Sequence, residues 1–89
     1  MNKQVVLNVL RKELKREEEN LLFHKAQIAY LWEMCDVAKK NNPYMLVFFQ
    51  ELNRNKELAR QTKRKLKSIR ESIKFMKNLV IINMDAFDV

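Results

Sequence analysis

Apolar side chains recur along this chain at alternating spacings of three and four residues, and they do so in two runs. The first run is Leu7, Leu10, Leu14, Leu21, Ile28, Leu31, Cys35 and Ala38, with Glu17 and His24 keeping the same rhythm. The second is Met45, Phe48, Leu52, Ala59, Leu66, Ile69, Ile73, Met76 and Val80, with Asn55 and Thr62 in step. Such spacing holds one stripe of a helix against a neighbour, as in the seam of a coiled coil. Between the runs stands Asn41-Asn42-Pro43. Asn42 suits an N-cap, because its side-chain oxygen can accept orphan amides of a first helical turn. Pro43 suits the first helical position, where a missing N–H costs nothing. Asn41 tolerates the left-handed backbone that closes a helix.

The pattern therefore predicts a helix over 3–40, a turn at 41–42, a second helix over 43–83 and a frayed tail over 84–89. Asp85 and Asp88 oppose the helix dipole at that end. So short a connection forces the helices antiparallel, and in an antiparallel pair the a positions of one face the d positions of the other. Facing residues then have numbers with one common total, and only a total of 83 puts the tip between Asn41 and Asn42. The expected layers run from Leu7 opposite Met76, through Glu17 opposite Leu66 and His24 opposite Ala59, to Leu31 opposite Leu52 and Cys35 opposite Phe48. The fold class is all-α: an antiparallel two-helix coiled-coil hairpin that completes a helical bundle by dimerising or by docking on a partner.

Polar residues crowd the middle of this seam. They are expected to fix register at a cost in stability, with Glu17 reaching Lys63 or Arg70 across the seam. A sharper alternative makes the stretch a groove for a third helix, or His24 a pH switch.

The two flanks of the seam differ. On helix two Lys56, Arg60, Lys63, Lys67, Arg70, Lys74 and Lys77 occupy every e and b position in turn, a straight stripe about 30 Å long at ~1.5 Å rise per residue. Arg11, Lys15 and Lys25 extend it from helix one. A polyanion, an acidic protein surface or solvent alone would satisfy such a stripe. The c and g positions are apolar toward both ends: Val9, Phe75, Leu79 and Ile82 at the open end, and Phe23, Tyr30, Met34, Val37, Val47 and Leu58 near the turn. Trp32 and Phe49 add to the apolar excess on the other flank. A lone hairpin has nothing to cover these groups, and uncovered apolar faces of this extent mark partner surfaces.

Composition narrows the classes further. Glycine is absent and proline occurs once, which excludes Gly-rich phosphate loops and favours unbroken helix. The formal charge of +7 favours anionic partners. One histidine and one cysteine, about two heptads apart, form neither a nucleophilic pair nor a metal site, and Glu17, Glu18 and Glu19 point in different directions. No catalytic, cofactor or metal site is expected, and the chain reads as non-enzymatic. A single cysteine suits a reducing, cytoplasmic compartment. The first residues carry no leader pattern, and no apolar run nears the ~20 residues of a membrane span.

In outline the hairpin resembles the plasmid-encoded RNA-binding hairpin Rop, on architecture alone. The stretch from Ala38 to Gln50 resembles the turn of type III secretion needle subunits, which implies a non-enzymatic helical protein. Pro43 followed by Gln50-Glu51-Leu52-Asn53 is similar to the second helix of sporulation phosphatases. Phe49 and Asn53 stand where that family has serine and aspartate, so no phosphatase residue is carried over. The function expected is that of a helical interaction protein (a small regulator, chaperone or assembly subunit) that binds partner helices, its own copy included, through the apolar flank. The alternative is a dimeric RNA- or DNA-binding regulator that uses the basic stripe.

Overall fold

The computed structural model describes residues 2–37 and 44–79. It contains two long helices, α1 (Lys3–Val37) and α2 (Met45–Asn78), packed against each other along their length. Asn2 opens α1 as an N-cap, its Oδ1 accepting the Gln4 amide at 2.8 Å. Tyr44, with helical backbone, precedes α2. The expected cap at Asn42 and first helical position at Pro43 lie outside the described residues, as do the tail over 84–89 and Ile82.

Every buried residue among those described belongs to the two sequence runs: Leu7, Glu17, Leu31 and Cys35 on α1, and Leu52, Asn55, Ala59, Thr62, Leu66 and Ile73 on α2. The pairing follows the expected register. Leu31 and Cys35 pack with Leu52, and Ile28, Met45 and Phe48 close around them. A second contact reports the same register from beside the seam. The Lys56 ammonium lies 4.8 Å from the Trp32 ring centroid, and these are facing e positions in that alignment. The continuous apolar core thus sits toward the turn.

Helix α2 runs to Asn78, after which Leu79 is extended (φ −63°, ψ 126°), and the expected end at Asn83 lies outside the described residues. The Leu79 amide still reaches back to the Met76 carbonyl at 3.3 Å. Lys3, at the start of α1, donates from Nζ to the Lys77 and Leu79 carbonyls at 3.2 and 3.3 Å. An ammonium there satisfies orphan carbonyls and complements the negative end of the α2 dipole. The open end of the hairpin is thereby clamped.

The expected cross-seam partners of Glu17, Lys63 and Arg70, do not reach it. Glu17 is buried, and its partner is the Asn20 amide at 3.5 Å, one turn along the same helix. Lys63 and Arg70 are e residues that lean away from the seam into water, where a long cation loses less solvation. Asn55 is also satisfied within its own helix, donating to the Glu51 carbonyl at 2.8 Å. Neither residue makes a polar bond across the seam. The His24 Nδ1 is buried without a partner, and the ring meets Phe23 edge-on with centroids 5.9 Å apart.

Candidate interaction surfaces

The transverse extents of the molecule are only 15 and 14 Å, a single layer of two helices. Groups off the seam therefore have nothing to pack beneath. On the c/g flank Val9, Phe23, Tyr30, Val37, Val47 and Phe75 are exposed, while Met34, Leu58 and Leu79 are half-buried against the seam's edge. Val37 is 79% exposed and Phe75 66%.

At the open end this flank is concave. Val6, Leu10, Ser68, Glu71, Ser72, Phe75 and Met76 line an open groove of about 470 Å³. Of its walls, the expected interface supplied only Phe75. Val6 and Ser72 are g residues and Ser68 a c residue, so heptad phase places them on this flank, although a serine gives no hydropathy signal.

Charge on the c/g flank is nearly cancelled locally. Arg16 pairs with Glu13 and Arg54 with Glu51, both three residues apart on exposed surface. Such pairs contribute little to stability, about 0.3–0.5 kcal/mol each. Their consequence is electrostatic: among the described c and g residues only the charge of Lys65 is left over, with Glu71 beside them on the groove wall.

The e/b flank is the opposite. Arg11, Lys15, Lys25, Lys56, Arg60, Lys63, Lys67, Arg70, Lys74 and Lys77 share it with two described acids, Glu18 and Asp36. All ten are exposed except Lys56, which is half-buried beside Trp32. The register sets Lys25 level with Lys63 and Arg11 level with Lys77, so like charges face across the rim. Arg60 alone of the stripe is tied to an acid, Glu57 at 2.7 Å. Among the described residues, Lys63, Lys67, Arg70 and Lys74 have no acidic partner. Trp32 is half exposed, which gives the stripe an aromatic at its turn end.

No group of three or more metal-ligating side chains occurs among the described residues. Cys35 is a free thiol buried in the apolar core, where it packs as a small hydrophobe. Among the described residues no helix is long and apolar enough to cross a membrane. Comparison with protein-family models, curated proteins and solved structures finds no match.

Proposed function

We propose that this hairpin is a non-enzymatic interaction protein that binds partner helices through its c/g flank. One observation carries the reading. The molecule is a single layer, and large apolar side chains from Val9 to Val37 on α1 and from Val47 to Phe75 on α2 stand uncovered along one side. Exposed apolar surface is costly in water, and helical proteins cover such faces with further helices. The exposed groups of the flank are mainly apolar side chains, so it offers shape and apolar area. That chemistry suits a small regulator, chaperone or assembly subunit. The buried thiol of Cys35 is compatible with a reducing compartment.

Photo-crosslinkers placed at Tyr30 and Phe75 on the flank, and at Arg64 on the back of α2, test the proposal in the native host. Adducts to a helical protein from the two flank sites, with none from residue 64, are the expected result. Equal labelling from all three sites would contradict it.

A second reading rests on a separate observation, the run of stripe cations that lack an acidic partner. A polyanion such as RNA or DNA would relieve the facing like charges and release counterions. Trp32, beside Lys56, supplies one stacking surface at the end of the stripe. The two readings use different flanks and are compatible.

A further inference from the structure

We infer that the occupant of the c/g flank is a second copy of this chain, the two hairpins closing face to face into a four-helix bundle with the basic stripes outward. This deepens the proposed function and rests on it. Three features favour a copy over another helical partner.

The first is length. The apolar groups of the flank gather at its two ends, Val9 and Phe75 at one and Val37 and Val47 at the other. Val9 and Val37 lie 28 residues apart on α1, about 42 Å at ~1.5 Å per residue. A partner that covers both ends must be a straight helical rod as long as the hairpin, which a second copy is by construction.

The second is area. A helix of 35 residues is about 52 Å long. Two helices side by side, some 15 Å across, offer roughly 800 Å² of projected face. Stable interfaces bury about 800 Å² from each partner, so one flank against another reaches the size a dimer needs.

The third is charge. The e/b flanks of two copies repel, with ten cations against two acids on each. The c/g flank is the side on which like molecules meet with the least such penalty, one uncompensated cation (Lys65) per copy, because Glu13–Arg16 and Glu51–Arg54 are already neutralised in place.

Size-exclusion chromatography with light scattering tests this on the full chain and two variants. The wild type is expected to have the mass of a dimer at micromolar concentration. Phe23→Glu/Phe75→Glu changes two exposed groups outside the seam, and should halve the mass while circular dichroism shows the helix content retained. Lys63→Glu/Lys67→Glu, on the other flank, should leave the dimer mass unchanged. A wild type that stays monomeric to about 100 µM overturns the second copy, as does a dimer indifferent to the flank substitutions. In the monomeric case, flank-specific photo-adducts to a different helical protein would leave the proposed function standing, and absence of any adduct would remove both.

Discussion

Glu17 and Leu66 face each other in the seam with exposures of 5% and 2%, a carboxylate against a leucine. A charge withdrawn from water costs several kcal/mol unless cations or several hydrogen bonds compensate, and a 3.5 Å contact from Asn20 compensates little. Glu17→Leu is therefore expected to raise the free energy of unfolding by roughly 1–3 kcal/mol in urea titration; a loss would show that the carboxylate has a stabilising role. Leu52, 1% exposed within the cluster of Leu31 and Cys35, carries the opposite expectation. Leu52→Ala should cost about 2–5 kcal/mol in the same titration. Membership of the seam was legible in the sequence because it depends only on spacing, and every buried described residue falls on the two runs. The chemistry of the polar members was not. Spacing says which side of a helix Asn55 occupies, but its amide could turn across the seam or back along its own helix, and the Glu51 carbonyl four residues earlier was nearer.

Each helix is held by different means at its two ends. Near the turn, α1 and α2 are joined by apolar packing around Leu31, Cys35 and Leu52. At the open end they are joined by the Lys3 ammonium, which reaches 74 residues along the chain to the Lys77 carbonyl. Lys3→Ala should uncap α2: amide hydrogen exchange at residues 76–79 should quicken, with a loss of about 0.3–1 kcal/mol in overall stability. Unchanged exchange there would show the cap to be inert. This contact was invisible to heptad reasoning, because Lys3 lies on the margin of the first run and a lysine in an opening turn reads as a mismatch with its own helix dipole. The extended backbone at Leu79 was hidden for a related reason. Leu79-Val80-Ile81-Ile82 has no helix breaker, so composition alone extends the helix beyond the point where the backbone turns out.

As a whole, the molecule sorts its charge by side: a nearly neutral apolar flank, and a flank with ten cations. Both were legible as heptad positions, whereas the local pairing that quietens the apolar flank needed side-chain positions to be seen. If the cationic side meets nucleic acid, affinity must fall steeply with salt. Changing Lys63, Lys67 and Arg70 to Gln together should then lower the slope of log K against log salt by about two to three, measured on duplex and single-stranded oligonucleotides. An unchanged slope would reject the stripe as the contact. The distribution of cohesion along the rod also sets an order of assembly. Contacts around Leu31 and Leu52 join residues near in sequence, while the Lys3 bridge joins residues 74 apart. Closure is expected to start at that cluster, where the loop to be closed is shortest, and to travel from it like a zip. The Lys3 ammonium, 74 residues from the Lys77 carbonyl it meets, engages last.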